Sequence, residues 1–543
     1  MVMSKKVAAW FADRFVSKPW VCLALLSILL MTAVMRFGLL DVPLERDEGE
    51  YAYGGLLLLQ GHPLYENMYS MKLPGIYAAY ALLLTLFGKT HSGIHLGLLF
   101  INSATIVLLF FIAKRLFNSV AALASAACFA VISISPTVHG VSANAEHFVI
   151  LLALSGVVLL IHALDENRWS WLIFSSLLFG LCVLMKQHGA LFISFGVSFL
   201  LVDSIWHLKV GRRKSLTRAL IFIVGSMIPY VITCTIFYFT GWFEQYWYWT
   251  FEIARMYSDK IPIDMAWSYF IYTAIPIGRA MFPIWIVVAV GLSALIWDKR
   301  NRRRSVFVAC FTFFSFLAIL PGFYFRHHYF ILLLPAASLL FGMGVNTITK
   351  ISPIFHLRTV QNGMQIFLAV ICILISIYQQ RMFFFQMTPN QASRFVYHMN
   401  PFSESIEIAR YIKSHTKEAD RIAVIGSEPQ IYFYSNRRSA TGHIYMYPLM
   451  DNSDVALKMQ KEMIHEIESI RPMFLVLVWV KKSWLDRQDS HKLLLEWYNS
   501  YQARYYQLVG IVDIFEDRTL YHWEPNIKRP QNASFCAILR RKE

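Results

Sequence analysis

The sequence predicts a polytopic α-helical membrane protein that ends in a small α/β domain. Of its 543 residues, 57% are hydrophobic and only 15% are charged, which is typical of a chain with many membrane spans. Long apolar runs recur up to about residue 388, whereas residues 389–543 alternate amphipathic and strand-like segments. Residues 403–415 and 454–470 are helix-like, and residues 421–425 and 473–478 are strand-like. We therefore expect a membrane domain over residues 1–388 and an extracytoplasmic α/β domain over residues 389–543.

Eleven apolar runs predict transmembrane helices, although several are shorter than the roughly 20 residues of an ideal span. They lie near residues 20–40, 93–113, 119–137, 147–164, 169–185, 189–203, 216–240, 276–297, 305–321, 329–347 and 363–385. A further run, residues 74–87, is shorter, begins with Pro-Gly and lies between Lys72 and Lys89. These features favour a helix along the membrane interface, so this run is not counted as a span.

Basic residues orient the chain, because short loops rich in Lys and Arg remain in the cytoplasm. Without residues 74–87 as a span, the basic loops fall on one side. They include Lys114, Arg168, Arg213 and Arg303. We expect an integral plasma (inner) membrane protein with a cytoplasmic N-terminus and an outer C-terminal domain. Arg36, at the end of the first run, is expected to reach towards the membrane surface. This topology explains the excess of 50 Lys and Arg over 34 Asp and Glu without nucleic acid as a partner.

The first outer loop, residues 41–92, carries the densest acidic cluster of the chain. The stretch ERDEGEYAYGG follows the first apolar run and contains Glu45, Asp47, Glu48 and Glu50. Such a cluster could be a solvated loop or the first turn of a helix, where negative charge is favoured. Its position at the membrane boundary, ahead of a long aromatic loop, favours a functional site.

A second acid and several isolated cations are predicted at the outer ends of spans. Glu146 lies where the third span leads into the fourth, and the cations are Lys72, Lys186 and Arg326. Each cation alone is also compatible with an interfacial residue whose charged end reaches water. Together, the acids and cations suit a carboxylate base that activates a hydroxyl while cations neutralise a phosphate leaving group.

The order of these motifs resembles the GT-C superfamily of integral-membrane glycosyltransferases, in the branch that includes protein O-mannosyltransferases and lipid A aminoarabinose transferases. The resemblance is carried by Asp47-Glu48, Lys72 to Tyr77, Lys114 to Phe117, Glu146, Met185 to Gly189 and Arg326 to Pro335. Two positions depart from the family pattern. Leu73 replaces a proline, and Glu146 replaces the commoner Asp.

The resemblance implies a GT-C fold and inverting transfer of a hexosyl or pentosyl group from a polyprenyl-phosphate-sugar. The acceptor would be a hydroxyl of a glycan, lipid or protein at the outer face of the membrane. The catalytic residues would be Asp47, Glu48 and Glu146, with Asp47 deprotonating the acceptor. The donor phosphate would be held by Lys72, Arg326, Lys186 and Arg255. The substrate groove would be lined by Tyr51, Tyr77, His327, His328, Tyr329 and Trp247.

The segment over residues 240–262, TGWFEQYWYWTFEIARMYSDKIP, is unusually aromatic. An aromatic belt at the membrane interface would explain this composition. In the functional alternative, Trp242, Trp247 and Trp249 form a wall of the lipid groove, and Arg255 faces phosphate.

This chemistry requires no cofactor. A carboxylate pair can nevertheless bind Mg²⁺ or Mn²⁺, so a divalent metal at Asp47 and Glu146 is an alternative. The seven cysteines contain no CxxC pair, and neither a zinc site nor a disulfide framework is predicted.

Two other functions fit a membrane protein of this layout. A lipid-linked glycan flippase or transporter would favour two related halves and acids near mid-membrane, and the sequence predicts neither. A noncatalytic scaffold would only display the α/β domain. That domain has no nucleophile signature, so we assign it acceptor binding. Within it, Gly426-Ser427-Glu428-Pro429 predicts only a strand-to-helix turn.

Overall fold

Helices make up most of the chain in this computed structural model, which describes residues 19–206, 211–297, 302–351 and 358–542. Up to residue 351 the α-helices are Pro19–Phe37, Arg46–Leu59, Leu64–Asn67, Pro74–Phe87, His91–Leu116, Ser119–Ile132, Ala145–Asp165, Trp169–Met185, Ala190–Trp206, Arg212–Thr240, Phe243–Trp247, Ala254–Ser258, Ile263–Ala280, Phe282–Trp297, Arg302–Leu317 and Leu334–Ile351. The later α-helices are Arg358–Gln379, Arg381–Phe385, Pro389–Tyr397, Phe402–Ser414, Gln430–Ser435, Asp454–Ile470, Lys481–Trp484 and Leu493–Tyr505. Short 3-10 helices are Pro136–Val138, Gln187–Gly189, Pro321–Phe323 and His327–Leu333, and Tyr248–Ile253 is a π-helix.

Six helices among the described residues are long and apolar enough to cross a membrane, or up to seven if one bent pair is a single span. That pair is Ile263–Ala280 and Phe282–Trp297, which meet at 107°. Four further apolar helices are shorter, and Pro74–Phe87 is one of them. Each of the eleven predicted runs overlaps a helix. The number of crossings itself stays a prediction.

Three of the long apolar helices described, Pro19–Phe37, Arg212–Thr240 and Thr359–Gln379, are mostly exposed along their apolar windows. Only 28% of the apolar window of Pro19–Phe37 is buried, and Leu23 and Leu30 on this helix are 64% and 57% exposed. Contiguous apolar surface of this kind is stable against lipid and costly against water. The exposed faces therefore fit a protein that lies in a bilayer.

The chain divides into two compact units, each described here by itself. The first unit contains the described residues of Met1–Gly38, Leu98–Ile232 and Ile261–Gln386. The second unit contains the described residues of Leu39–Gly97, Thr233–Lys260 and Met387–Glu543.

Small residues allow close helix packing in the first unit. A Cβ on Gly291 would lie 1.9 Å from the Leu340 carbonyl oxygen, and one on Gly344 would lie 2.2 Å from the Val287 oxygen. Helices Phe282–Trp297 and Leu334–Ile351 therefore approach each other backbone to backbone, which is a common solution in membrane proteins.

Arg36 is buried in the first unit, with only 3% of its surface exposed. Its Nη2 donates to the Gly140 oxygen at 3.1 Å and to the Ser133 oxygen at 3.4 Å. The expectation that this side chain reaches towards the membrane surface is therefore wrong. The chain between Ile132 and Ala145 is mostly non-helical, and its carbonyls provide acceptors inside the protein.

A six-stranded sheet forms the centre of the C-terminal part of the second unit. Its strands are β1 (Arg421–Ile425), β2 (Arg438–Ser439), β3 (Phe474–Trp479), β4 (Tyr506–Ile514), β5 (Thr519–Trp523) and β6 (Phe535–Arg541). The strand order is β2-β1-β3-β6-β4-β5, parallel from β2 to β3 and antiparallel beyond. The predicted α/β character is confirmed. Strands β1 and β3 are apolar, buried and parallel to each other, and continuous apolar strands are typical of buried parallel sheets.

The second unit joins residues 41–92, the predicted first outer loop, to this sheet. Helix Arg46–Leu59, called the acidic helix below, packs on helix Gln430–Ser435, where a Cβ on Gly49 would lie 2.6 Å from the Gln430 nitrogen. The Ser439 N–H also donates to the Tyr53 hydroxyl at 2.9 Å. The predicted domain boundary near residue 388 and the side of the membrane on which the sheet lies stay predictions.

Candidate active site

The acidic helix begins with a reciprocal cap. The Glu45 carboxylate accepts from the Glu48 N–H, and the Glu48 carboxylate accepts from the Glu45 N–H, both at 3.2 Å. Glu48 is fully buried and lies 3.0 Å from Nε2 of His95. Burial and the neighbouring acids Asp47 and Glu48 raise the pKa of Glu45 well above its usual range. Glu45 and Glu48 thus cap the first turn of a helix. This is one of the two interpretations that the sequence left open for the acidic cluster.

Asp47 and Glu50 point to a different partner. They are three residues apart and so share a face of the acidic helix. Nζ of Lys72 lies between them, 2.6 Å from Asp47 Oδ1 and 2.8 Å from Glu50 Oε2. Burial alone would lower the pKa of Lys72, but the carboxylates of Asp47 and Glu50 raise it well above its usual range. The ammonium group therefore stays charged and holds both acids in place.

Hydroxyl groups complete this arrangement, which we call the Lys72 cluster. Its members are Asp47, Glu50, Ser70, Lys72, Tyr77 and Tyr445. The Tyr77 hydroxyl lies 2.6 Å from Glu50 Oε1 and 2.7 Å from Ser70 Oγ. The Tyr445 hydroxyl lies 3.1 Å from Asp47 Oδ1 and the same distance from the Arg46 oxygen. Glu50 is nearly fully buried, whereas Asp47 keeps 25% of its side chain exposed. Asp47 is thus the carboxylate of the pair that a substrate can reach.

Aromatic rings surround the Lys72 ammonium. It lies 4.7 Å from the ring centre of Tyr51 and 5.6 Å from that of Tyr445. Tyr51 and Tyr77 are both buried and meet edge to face at 6.3 Å. The two predicted groove residues therefore pack beside the Lys72 cluster, and their role as groove residues stays a prediction.

Arg46 fastens the start of the acidic helix to the C-terminal part of the chain. Its Nη2 lies 2.5 Å from Glu428 Oε1 and 3.2 Å from Asn400 Oδ1, and its Nε donates to the Ser427 oxygen. Glu428 is fully buried and Arg46 nearly so. The turn Gly426-Ser427-Glu428-Pro429, for which the sequence predicted no role, therefore anchors the helix that carries Asp47.

Glu146 is the centre of a second group of charges, in the first unit. It lies in the first turn of helix Ala145–Asp165 and accepts a salt bridge from Lys186. Lys186 Nζ also lies 3.9 Å from the ring centre of Tyr329, and His328 Nε2 is 3.9 Å from Glu146 Oε1. We call these four residues the Glu146 cluster. Four predicted site residues are thus brought together at one buried place.

The neighbours of this cluster are also predicted site residues. His327 Nδ1 lies 2.8 Å from the Thr137 oxygen, and its ring stacks on that of His139 at 4.6 Å. Arg326 begins the 3-10 helix His327–Leu333, with its guanidinium 5.3 Å from the Tyr324 ring centre. The segment from Arg326 to Tyr329 thus carries four aromatic or cationic side chains in succession.

Trp247 and Arg255 lie on a separate aromatic segment of the second unit. Trp247 is 41% exposed and stacks on Phe251 at 4.4 Å. Arg255 is 84% exposed, and its Nε is 3.8 Å from Asp259 Oδ2. Trp249 is buried and stacks on Tyr69 at 5.0 Å. The predicted substrate roles of Trp247 and Arg255 stay predictions.

Sequence reasoning missed Glu50, Ser70 and Tyr445 as members of the site. The spacing of Glu50 from Asp47 is a helical signal that could have found it. Tyr445 is almost 400 residues from Asp47, and nothing local in the sequence connects them.

The acidic pair of the Lys72 cluster does not fit a divalent metal. The Lys72 ammonium already lies between the two carboxylates and neutralises them. In the parts of the chain that the structure describes, no group of three or more His, Cys, Asp or Glu could hold a metal ion. The predicted alternative at Asp47 and Glu146 involves residues of different units and stays a prediction.

Comparison with known proteins agrees with this architecture. A family model described as dolichyl-phosphate-mannose-protein mannosyltransferase matches residues 71–233. ArnT from Cupriavidus metallidurans, solved bound to undecaprenyl phosphate, is 14% identical, with a TM-score of 0.56 over 96% of this chain and 98% of that chain. The apo oligosaccharyltransferase of Archaeoglobus fulgidus is 11% identical, with a TM-score of 0.54 over 95% of this chain and 76% of that chain. The chain has the GT-C fold.

The GT-C fold confirms the predicted fold class, an α-helical polytopic membrane protein with a small C-terminal sheet. A further structure of this fold is archaeal AglB with an inhibitory peptide and a dolichol phosphate, which is 10% identical at a TM-score of 0.53. It matches 94% of this chain and 75% of that one. No curated protein matches the sequence significantly.

Proposed function

We propose that the protein is a membrane glycosyltransferase that takes its sugar from a lipid-linked donor. The observation that carries this proposal is the Lys72 cluster, a charged lysine between two carboxylates in a chain with the GT-C fold. The matching family model begins at residue 71, next to Lys72. Solved proteins of this fold carry undecaprenyl phosphate or dolichol phosphate, which supports a polyprenyl phosphate as the carrier here.

The proposed reaction is an inverting transfer to an acceptor hydroxyl. The acceptor proton passes to a carboxylate oxygen of Asp47, and the acceptor oxygen bonds to the anomeric carbon. The bond from that carbon to the phosphate oxygen breaks, and its electron pair leaves with the polyprenyl phosphate. Lys72 and Arg326 stabilise the negative charge that develops on the phosphate.

Asp47 can accept this proton only if the Lys72 ammonium first moves away from the Asp47 carboxylate. While the ammonium lies 2.6 Å from Asp47 Oδ1, the carboxylate is a poor base. A donor phosphate would attract Lys72 and so free Asp47, while Glu50 remains as a counter-charge. The Tyr445 hydroxyl, 3.1 Å from Asp47 Oδ1, would keep the released carboxylate in position. Glu146, with Lys186 and His328, would orient the sugar or the acceptor.

The phosphate assignment predicts the effect of two substitutions. Lys72→Ala and Arg326→Ala each remove a charge-assisted hydrogen bond to the leaving group, worth about 1.5–3 kcal/mol. We expect each to weaken binding of polyprenyl phosphate about ten- to a hundredfold. The dissociation constant of the purified variants in lipid nanodiscs measures this effect. Lys89→Ala is the control, because this exposed lysine follows helix Pro74–Phe87 at its other end. Wild-type affinity in both variants would remove these residues from the donor site.

The transfer is proposed to occur on the outer face of the plasma membrane, with the N-terminus in the cytoplasm. In a cysteine-free variant, single cysteines at Lys89 and Arg302 test this topology. We expect an impermeant thiol reagent to label position 89 from outside and position 302 only from the cytoplasmic side. Cytoplasmic labelling of position 89 would contradict the interfacial assignment of residues 74–87.

A further inference from the structure

A cavity of about 420 Å³ opens in the second unit beside the edge strand β2. Its polar lining comprises Tyr53, Gln60, His62, Glu418, Asn436, Arg437 and Arg438. Gln60 follows the last residue of the acidic helix, so the cavity lies roughly 20 Å along that helix from Asp47 at 1.5 Å per residue. A volume of this size is typical of small-molecule sites. At this distance from Asp47, the cavity is a separate place from the Lys72 cluster.

The Arg437 side chain builds a wall of this cavity. Its Nε donates to Thr416 Oγ1 at 2.8 Å, and its Nη1 donates to the oxygens of Ser435 and Asn436. Its Nη2 donates to the oxygens of Thr416 and Lys413, at 2.7 and 3.4 Å. All five N–H donors of the guanidinium are therefore occupied, and Arg437 holds the loop rather than a ligand.

Arg438 differs from its neighbour, because none of its donors has a protein partner among the described residues. It is half-buried and lies in register with Arg421 on the adjacent parallel strand β1. Residues in register on neighbouring strands project to the same face, so two positive charges lie side by side. Among the described residues, the Arg421 side chain forms one hydrogen bond, to the Ser439 oxygen at 3.3 Å.

The charge of Glu66 offsets this like-charge pair only in part. Burial and then the Arg438 charge lower the pKa of Arg421, and burial with both arginines lowers the pKa of His62. Glu66 and Glu418 lie nearby, but neither forms an ion pair with Arg421 or Arg438 in the described chain. Like charges in direct register destabilise a sheet, so a bound anion would relieve a cost that the fold carries without it.

The other groups of the cavity suit a sugar. Gln60 Nε2 donates to Asn436 Oδ1 at 3.3 Å, which leaves Gln60 Oε1 and the Asn436 amide group for ligand hydroxyls. The carbonyl end of the acidic helix opposes an anion, but it carries only roughly half an elementary charge. The lining carries two guanidinium groups, those of Arg437 and Arg438, against this partial charge and one carboxylate, that of Glu418.

We propose that this cavity is a binding site for an anionic saccharide, which places a phosphate or carboxylate group against Arg438, with the charge of Arg421 on the neighbouring strand behind it. An arginine fork binds either group through charge-assisted hydrogen bonds. The site is separate from the Lys72 cluster, and the proposal does not depend on the transferase reaction.

Calorimetric titration of the full-length protein in detergent tests the proposal with three probes: glucose 6-phosphate, inorganic phosphate and glucose. We expect glucose 6-phosphate to bind more tightly than inorganic phosphate, and glucose not to bind detectably. Arg438→Gln should weaken binding of glucose 6-phosphate about tenfold or more, because it removes the charge but keeps the side-chain length. Arg410→Gln is the matched control, since Arg410 is exposed and already paired with Glu407.

Folding of the variant is checked independently. Because Arg438→Gln relieves the repulsion with Arg421, its melting temperature without ligand should equal or exceed that of wild type. Glucose 6-phosphate should raise the melting temperature of the wild type but not of this variant. Equal affinity of the folded variant and wild type, or no anion binding by wild type, would overturn the proposal. Inorganic phosphate binding as tightly as the sugar phosphate would overturn its saccharide part.

Discussion

Replacement of Asp47 by Asn is expected to lower turnover about 10²–10⁴-fold, the usual contribution of a general base. The amide keeps the shape of the carboxylate and can still accept from the Tyr445 hydroxyl, but it cannot take a proton. Lys72 keeps its 2.8 Å salt bridge with Glu50 in this variant. Affinity for polyprenyl phosphate and the melting temperature should therefore change little, and the loss should fall on turnover.

Glu50→Gln is the matched control for this experiment. It also removes one of the two carboxylates that hold Lys72, yet Glu50 is nearly fully buried and cannot reach an acceptor. A large loss of turnover in Asp47→Asn with a smaller loss in Glu50→Gln would separate the base from the counter-charge. Near-normal turnover by Asp47→Asn, with a loss in Glu146→Gln, would move the base to Glu146 and leave the glycosyltransferase proposal intact.

The largest effect on stability is expected at the anchor between Arg46 and Glu428. Glu428→Ala leaves a buried guanidinium without its carboxylate, and breaking a buried pair in this way costs about 3–5 kcal/mol. Asn400 and the Ser427 oxygen still accept from Arg46, so we expect the lower end of this range. The thermal unfolding midpoint in detergent measures the loss. Transfer activity should fall with it, because the acidic helix loses its attachment.

Two comparisons make this second prediction specific. Glu407→Ala removes a carboxylate from an exposed pair with Arg410, and its effect should be within about 1 kcal/mol. In a double-mutant cycle, Arg46→Met added to Glu428→Ala should cost much less than the two single changes together. Additive effects would show that the two side chains do not depend on each other.

Local patterns in the sequence predicted much of this fold. The helix Asp454–Ile470 and the strand Arg421–Ile425 occur at their predicted bounds, because hydrophobic period is a local property. The strand predicted over residues 473–478 is Phe474–Trp479, one residue later. The number of membrane spans has no equivalent local signal. The pair Ile263–Ala280 and Phe282–Trp297 is bent by 107° at a short break, and apolar composition alone does not show whether such a pair is one span.

The site was only partly predictable, because its members are joined by tertiary packing. Lys72 and Asp47 were both predicted as site residues of one loop, and the structure adds a 2.6 Å salt bridge between them that the sequence did not predict. Glu48 follows Asp47 directly but faces His95 and caps the helix, which charge density alone could not show. Tyr445 and Glu428 reach the acidic helix from segments almost 400 residues away. The C-terminal part, to which the sequence assigned acceptor binding, therefore also supports the helix that carries Asp47.

Release of free polyprenyl phosphate from a labelled polyprenyl-phosphate-sugar tests the central claim most directly. The purified wild-type protein would be incubated with a panel of such donors, with and without an envelope extract that contains glycan, lipid and protein acceptors. We predict that at least one donor releases polyprenyl phosphate only when acceptor is present, and that Asp47→Asn abolishes this release. If the wild type and Asp47→Asn release the same amount, or if donor crosses the bilayer with its sugar still attached, the protein is not the transferase proposed here.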